Sequence, residues 1–448
     1  MPLSRILPAK LGRRLDASPL ASRIASGTLW SAAGTATYRG LSLLAYVVVA
    51  RVIGREQFGG LGVIQSTAGM LVVFAGFGLG LTATHHVASL RTNDPARAGR
   101  VIALSSIMAS GVGAVLAAIL YLFAPWLASQ TLADPGLVDV LRASSWLVLF
   151  GAVNAGQSGA LSGFEAFRAL AIVNLVGGVL AFPIVVGGAL VGRLLGAVWG
   201  MSIVAGVVCV FGHMMLRREM RRAGVPVAFA ASFQEWRVLG RFSLPAMLTA
   251  VVTPVVSWTL VAILVNQPRG YAEMGVFNAA TQLRTVIMFV PAMLATAVLP
   301  ALSQLHGRHD GRRHARAVRL AMVLNGAAAL AVALPVCIFG PWLLSCYGPS
   351  FTEGVPTLVL VAASTIVMAI THIIGQAIVS AGQMWWGLLL NCAWALSVLI
   401  AAHLLRGHGA FGLAEATLLG SVVHLAASMI YAWRRTFAVF PPARQDQA

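Results

Sequence analysis

Two arginines lie inside long apolar segments of this sequence, where a permanent cation is costly. Arg284 lies about a dozen residues inside the segment 273–300, and Arg39 lies near the middle of the segment 28–50. An arginine facing lipid at such depth is heavily penalised, so each guanidinium is expected to face protein or a water-filled cavity. Because a guanidinium can donate two parallel hydrogen bonds to phosphate oxygens, an anion is its natural ligand.

Polar side chains accompany the two arginines at helical spacing. Asn278 and Gln282 fall with Arg284 on one broad half of a helix, and Tyr46 falls on the face of Arg39. Polar positions in membrane helices also serve packing, because side chains hydrogen-bond between helices. The candidate substrate contacts that these patterns predict are Arg39, Arg284, Gln282, Asn278, Tyr46, Trp258, Asn154, Gln157, His372 and Gln376.

Carboxylates are missing from the middle of the apolar segments. Of the thirteen Asp and Glu residues, none lies in the central part of a segment. A cavity that holds Arg39 and Arg284 without a carboxylate is net positive and selects for anions. No paired carboxylates, metal-ligand spacing or nucleophile motif stands out, and the four cysteines show no CxxC spacing. We therefore expect no catalytic residue, metal site or cofactor.

The elements that must position these residues are membrane-spanning helices. The chain has 448 residues, is 58% hydrophobic and only 10% charged, and has a mean hydropathy of +0.85. Apolar runs of about 20 residues suffice to cross the hydrocarbon, and runs of this length without strict alternation favour helices over a barrel. The twelve predicted spans are 28–50, 59–82, 101–124, 141–162, 169–191, 195–215, 242–265, 273–300, 318–340, 355–379, 386–405 and 412–433.

Basic residues are distributed unevenly between the two predicted sides of the membrane. If the N-terminus is cytoplasmic, cytoplasmic segments hold 23 of the 31 Lys and Arg residues. This asymmetry predicts that both termini are cytoplasmic. Clusters such as RREMRR (217–222) are then topology signals and contacts for anionic lipids, so the net charge of +18 does not indicate nucleic acid.

The sequence repeats itself at an offset of about 215 residues. FAPWLAS (123–129) recurs as FGPWLLS (339–345), and the polar residue Asn154 is answered by His372. Ordered matches at nearly one offset indicate duplication. His372 fits either a proton relay or a hydrogen-bonded core histidine.

An even number of spans in each copy makes the copies parallel repeats, with a substrate cleft expected between two lobes. The predicted organisation is a basic cytoplasmic tail (1–27), an N-terminal six-helix lobe (28–215), a cytoplasmic linker (216–241), a C-terminal six-helix lobe (242–433) and a cytoplasmic tail (434–448). The predicted fold class is an all-α polytopic membrane protein.

Several loose patterns, in order along the chain, carry a family resemblance. They are ARVIGREQFGGLGVIQS (50–66), FSLPAML (242–248), GYAEMGVFNAATQLR (270–284), LPALSQL (299–305) and YGPSFTEGVPTLVLV (347–361). With these motifs, nearly all of the chain resembles polysaccharide repeat-unit flippases, the polysaccharide transporter branch of the multidrug/oligosaccharidyl-lipid/polysaccharide exporter superfamily.

The resemblance implies a V-shaped pair of lobes that alternate between inward- and outward-open states in the bacterial cytoplasmic (inner) membrane. It also implies a cargo of polyprenyl-diphosphate-linked oligosaccharide, moved to the outer leaflet for lipopolysaccharide O-antigen, capsule or exopolysaccharide assembly. Membrane lipids, a polysaccharide polymerase and glycosyltransferases are the implied partners. Cavities of this family are described as cationic, and Arg39 and Arg284 fit that description by position.

We interpret the sequence as a flippase and not an enzyme, with the cargo diphosphate near Arg39 and Arg284 and its sugars near the amide and aromatic positions. One alternative is a cation-coupled multidrug exporter of the same superfamily, which should carry buried carboxylates. Another is a polytopic polysaccharide polymerase or ligase, which should carry catalytic groups on larger outer loops. Proton-, sodium- and potential-driven exchange all stay open, as do the sugar, the oligomeric state and the conformation at rest.

Overall fold

The computed structural model of the chain describes residues 19–76, 79–226, 232–235, 244–308 and 310–437. Most of the predicted N-terminal tail, parts of the linker 216–241 and most of the C-terminal tail therefore lie outside the described residues. The predicted lobe boundaries and the cytoplasmic location of the termini stay predictions.

Thirteen α-helices follow one another in the described residues, which confirms the all-α class. They are α1 (Pro19–Gly76), α2 (Leu79–Leu90), α3 (Pro95–Trp126), α4 (Val138–Gly163), α5 (Phe167–Arg222), α6 (Leu244–Val265), α7 (Gly270–Ile287), α8 (Phe289–Gly307), α9 (Gly311–Ile338), α10 (Gly340–Tyr347), α11 (Val355–Ser380), α12 (Met384–Leu404) and α13 (Gly409–Ala432). Short 3₁₀ and π turns lie at Leu127–Thr131, Pro135–Leu137, Ser232–Glu235, Pro349–Gly354, Arg406–His408 and Trp433–Phe437.

Nine helical segments in the described part of the chain are long and apolar enough to cross a membrane. Two of them are long enough for a pair of spans each. α1 changes direction at Gly54, whose φ of 83° is one that favours glycine, and α5 changes direction at Gly192 and Arg193. These breaks fall between the predicted spans 28–50 and 59–82 and between 169–191 and 195–215.

The predicted span 273–300 is two helices rather than one. α7 ends at Ile287 and α8 begins at Phe289. Pro291 explains the break, because its nitrogen has no hydrogen to donate to the Ile287 carbonyl and its ring crowds that carbonyl. The apolar pattern runs on through this point, so hydropathy alone predicted a single span.

Contacts along the chain divide it into two compact units. The first unit comprises the described parts of Met1–Tyr46, Leu71–Ala124 and Asp139–Met247. The second unit comprises Val47–Met70, Pro125–Val138 and the described parts of Leu248–Ala448. The middle of α1 thus belongs to the second unit, together with α7 to α13.

Each unit has its own apolar core. In the first unit, a buried cluster that includes Val87 and Leu161 joins α2, α3, α4 and α5. In the second unit, a buried cluster that includes Val318 and Ile374 joins α8, α9, α11, α12 and α13. Apolar burial on one side of each helix leaves its polar positions to be satisfied by neighbouring helices or by cavities.

Small residues let α2 and α4 approach each other at backbone distance in the first unit. A Cβ atom on Gly159 would lie 2.2 Å from the Gly80 carbonyl oxygen. The Thr84 hydroxyl donates to the Gly159 carbonyl at 2.9 Å. Close backbone packing and interhelical hydrogen bonds hold helices together where lipid supplies no hydrophobic driving force. The contact fixes α4, which carries Asn154 and Gln157.

An arginine-centred cluster ties the middle of α1 to the rest of the second unit. Arg55 pairs with Glu273 at 2.9 Å and with Glu353 at 2.8 Å. It also donates to the carbonyl oxygens of Ala272 and Ser350. Glu273 in turn accepts from the backbone N–H of Ala410 at 2.9 Å, at the start of α13, where the helix dipole favours a carboxylate.

We expect Arg55→Ala to destabilise the protein, because the substitution removes both ion pairs and leaves two carbonyl groups without this donor. The expected loss is about 1.5–3 kcal/mol, the range for hydrogen bonds to charged groups, measured as a lower midpoint of thermal unfolding in detergent. Arg406→Ala is the matched control, since the Arg406 side chain is exposed. Equal midpoints for the two variants would show that the cluster contributes nothing.

Candidate functional site

Arg284 lies in the last turn of α7. Its side chain is half-buried, and its guanidinium has no hydrogen-bond or ion-pair partner among the residues that the structure describes. Met288, one helical turn further, lines a cavity of the second unit, and its backbone N–H donates to the Arg284 carbonyl at 2.9 Å. The structure thus places a cation within one turn of a cavity wall without a neutralising carboxylate.

Seven other arginines of the described chain form ion pairs with carboxylates. Arg142, which lies in a predicted span, pairs with Asp139 at 3.5 Å and lies 5.3 Å from the ring centre of Tyr121. Further ion pairs join Arg55 to Glu273 and Glu353, Arg91 to Glu165, Arg97 and Arg100 to Glu235, Arg222 to Glu219, and Arg313 to Asp310. These carboxylates lie at helix ends and in loops. Arg284 differs from the paired arginines because it has no carboxylate partner among the described residues.

Arg39 lies on the part of α1 that belongs to the first unit, and its side chain is exposed. Tyr38, Ser42 and Tyr46 follow one another at steps of four on the same helix and line a cavity of the first unit. One face of α1 is therefore a cavity wall, and Arg39 lies at the edge of that face.

The first-unit cavity has a volume of about 300 Å³ and lies between α1, α4 and α5. Its polar lining consists of Tyr38, Ser42, Tyr46, Asn154 and Asn174. The Oδ1 atom of Asn154 is buried and accepts no hydrogen bond within the described residues. All of these polar side chains are uncharged in their ordinary state, so the cavity offers hydrogen bonds and aromatic surface without net charge.

The second-unit cavity is larger, about 450 Å³, and is mostly apolar. His372 and Gln376 project from α11 into its wall, and their Nε2 atoms lie 3.3 Å apart. The Nδ1 atom of His372 is buried and has no partner among the described residues. His424 of α13 lines the same cavity.

The two cavities contain repeat-related positions. Asn154 and His372, which the duplication matches, each line the cavity of their own unit. The duplicated framework therefore carries a polar residue at the same place in both copies, although an amide has been exchanged for an imidazole. Among the candidate contacts, the structure groups Tyr46 with Asn154, and His372 with Gln376.

Besides Arg39 and Arg284, four further candidate contacts do not line either cavity. Asn278 is 5% exposed and donates to the Phe58 carbonyl of α1 at 3.2 Å. The Trp258 indole N–H donates to the hydroxyl of Thr67 at 3.1 Å. These contacts are interhelical hydrogen bonds within the second unit, which is the packing use of polar residues in membrane helices.

Gln157 and Gln282 complete the set of candidate contacts. Gln157 is 5% exposed, and its amide nitrogen lies 3.7 Å from the sulfur of Cys209, while its Oε1 atom has no partner within the described part of the chain. Gln282 is half-buried on α7, and its backbone carbonyl accepts from the Thr285 hydroxyl at 2.6 Å.

The sequence analysis missed several polar cavity residues, including two asparagines and a histidine. Asn174 lies in the first-unit cavity, and Asn391 and His424 lie in the second. Each stands as an isolated polar residue inside a long apolar run. This isolation is the feature of the sequence that could have identified them. An unsatisfied amide or imidazole in hydrocarbon costs several kcal/mol by the water-to-alkane scale, roughly 4–8 for an amide.

A protein-family model described as "Polysaccharide biosynthesis protein" matches residues 24–306, more than half of the chain. The chain belongs to this family. A second model, described as "MatE", matches residues 245–403. One relative of this polysaccharide biosynthesis protein is "EPS I polysaccharide export inner membrane protein EpsE" of Ralstonia nicotianae. The two are 24% identical over 376 residues, which cover 83% of this chain and 85% of the relative.

Solved structures show which fold this polysaccharide biosynthesis protein has. A multidrug resistance MATE family transporter of the MOP superfamily, in an inward-facing conformation, is 16% identical, with a TM-score of 0.75 over 91% of this chain and 96% of that one. A MOP superfamily transporter from Pyrococcus furiosus, whose structure is described as showing a reverse polarity of the binding pocket, is 16% identical, with a TM-score of 0.66 over 94% and 96%. The chain is thus a multi-pass membrane protein with the MATE fold.

We expect Asn278→Leu to lower stability without a specific effect on ligand binding, because the amide hydrogen-bonds to α1 and lies outside both cavities. The expected cost is about 1 kcal/mol, typical of one hydrogen bond, measured as the thermal unfolding midpoint in detergent. Gln282→Leu on the same helix is the control and should leave the midpoint unchanged. A variant at position 278 with an unchanged midpoint and lost ligand binding would instead make Asn278 a ligand contact.

Proposed function

We propose that this protein is a flippase that moves a polyprenyl-diphosphate-linked oligosaccharide across the bacterial inner membrane by alternating access. The cargo would be used for surface polysaccharide assembly, with glycosyltransferases that supply it and a polymerase that consumes it as partners. The family assignment and the export function in the name of the Ralstonia relative support the polysaccharide cargo. The guanidinium of Arg284, which has no partner among the described residues, supports an anionic headgroup on this cargo.

The positive charge of Arg284 is stabilised only in part by its own helix. The last turn of α7 offers the negative end of the helix dipole, which contributes about 0.3–1 kcal/mol at exposed positions. A guanidinium inside hydrocarbon costs about 2.5–3.5 kcal/mol even on the mildest scales. The helix dipole therefore offsets only part of the cost of placing the guanidinium in hydrocarbon. The remaining cost favours a bound anion during transport, and a diphosphate matches the forked geometry of the guanidinium.

The cavities add a second reason to prefer this cargo to a cationic drug. The residues that line them are amides, hydroxyls, phenols, imidazoles and apolar side chains, with no carboxylate among those described. A cationic compound would meet no opposite charge there, whereas an oligosaccharide can hydrogen-bond with uncharged amides and hydroxyls. Arg39 and Arg284 are the proposed anion-binding side chains of the first and second units.

We expect Arg284→Ala to reduce surface polysaccharide about ten- to hundred-fold in a deletion strain complemented at matched membrane levels, while lipid-linked repeat units accumulate inside. This range corresponds to loss of a charge-assisted hydrogen bond of about 1.5–3 kcal/mol. Arg284→Lys should restore part of the export, because it keeps the charge but not the fork. Arg39→Ala should also reduce export.

Arg142→Ala is the matched control for these variants, since Arg142 is a span arginine that is already paired with Asp139. We expect it to leave export near the wild-type level. Export that survives Arg39→Ala and Arg284→Ala, separately and together, would contradict the assignment of these arginines. Normal surface polysaccharide in the deletion strain itself would contradict the flippase function.

A further inference from the structure

Two amide oxygens converge on one glycine beside the first-unit cavity. A Cβ atom on Gly212 of α5 would lie 2.5 Å from Oε1 of Gln157 and 3.8 Å from Oδ1 of Asn154. Both oxygens are buried, and neither accepts a hydrogen bond within the described residues. The two acceptors therefore both lie beside Gly212, which leaves room for the Gln157 amide because residue 212 has no side chain.

The orientation of the Gln157 amide is set by its neighbour. Its nitrogen lies 3.7 Å from the Cys209 sulfur, which can accept a weak hydrogen bond, so its oxygen faces Gly212. A buried amide oxygen without a donor costs about 1–3 kcal/mol. A ligand that brings hydrogen-bond donors to this point would recover that cost.

The remaining wall of the first-unit cavity suits a sugar. The phenol rings of Tyr38 and Tyr46 present flat apolar faces with hydroxyl groups at their edges, and Ser42 and Asn174 add further hydrogen-bonding groups. No Arg, Lys, Asp or Glu is among the lining residues of the described chain. An ionised phosphate has oxygens but no donors, so it would be repelled by two converging carbonyl oxygens.

We infer that the first-unit cavity is a subsite for one uncharged sugar residue of the cargo, whose hydroxyl or acetamido N–H groups donate to Asn154 in the cavity lining and to Gln157, one helical turn beyond Asn154. This inference rests on the proposed function. A volume of about 300 Å³ lies at the lower end of small-molecule sites, which fits a single sugar better than a whole repeat unit. The subsite is separate from Arg284, which binds the diphosphate.

The second-unit cavity does not offer the same chemistry. Its repeat-related residue is His372, and three methionines, Met288, Met368 and Met384, line its wall. The duplicated framework has therefore kept a cavity in both units, but only the first combines converging amide oxygens with phenol rings. Sugar selectivity is accordingly assigned to the first unit.

Binding of defined lipids to the full chain in nanodiscs tests the subsite. The probes are a polyprenyl diphosphate without sugar and the same lipid bearing one glucose, galactose or N-acetylglucosamine residue. For the wild type, at least one sugar-bearing probe should bind about ten-fold or more tightly than the bare lipid. Asn154→Leu should reduce that affinity to the level of the bare lipid and leave the affinity for the bare lipid unchanged.

A second variant removes the space rather than the acceptor. Gly212→Ala places a Cβ atom against Oε1 of Gln157. This variant should also abolish the gain in affinity that the sugar provides. Gly111→Ala is the control, because a Cβ atom at Gly111 meets no atom within 4 Å. Unchanged binding of the bare lipid shows that each variant is folded.

The outcomes separate the subsite from the proposed function. If no sugar-bearing probe binds the wild type more tightly than the bare lipid, or if Asn154→Leu and Gly212→Ala both keep the gain, the subsite is overturned while the flippase stands. If Asn154→Leu weakens both kinds of probe equally, the residue is structural and the subsite is likewise overturned. If the wild type binds neither the bare lipid nor any sugar-bearing probe, the proposed function itself fails.

Discussion

The energetic cost of a charge in hydrocarbon shapes this protein more than any single packing contact. In the described chain, carboxylates lie in loops or within two turns of a helix end or kink, and most of them are paired with arginine. The Arg55 cluster shows what such pairing does, since one guanidinium joins α1 to Glu273, Glu353 and the start of α13. Arg284, in contrast, has no carboxylate partner among the described residues and lies one helical turn from a cavity wall.

Duplication provides the second constraint. The two units carry cavities at positions that the predicted sequence repeat relates, and the linings of these cavities differ. Asn154 in one copy and His372 in the other mark the same place with different chemistry. A protein that moves an amphiphile with unlike parts can use such divergence, because each copy can specialise in one part of the molecule.

The helices and their order could be predicted from the sequence, because each apolar run is long enough to cross a bilayer and a helix is the structure that satisfies its backbone there. The break between α7 and α8 could not, because Pro291 lies in a continuous apolar run and other prolines, such as Pro183 and Pro254, lie inside helices that continue past them. Whether a proline ends a membrane helix depends on neighbouring helices that hydropathy does not describe.

The site was predictable in part for a similar reason. Spacing singled out Tyr46, Asn154, His372 and Gln376 as candidate contacts, and all four line cavities. Spacing could not distinguish them from Asn278, whose amide hydrogen-bonds to α1. A polar residue on a helix face looks the same in sequence whether a cavity or another helix lies opposite, so that choice required the tertiary structure.

The junction at Met288 has a mechanical consequence. Since Pro291 supplies no hydrogen to the Ile287 carbonyl, the helical hydrogen-bond ladder lacks one bond at the junction of α7 and α8, beside Met288 of the second-unit cavity wall. A tilt of α8 at this joint would move Met288, which lines that wall, while α7 stays anchored to α1 through Asn278. Arg284, one turn before the joint, would keep its place. The volume of the second-unit cavity and the position of the charge can therefore change independently.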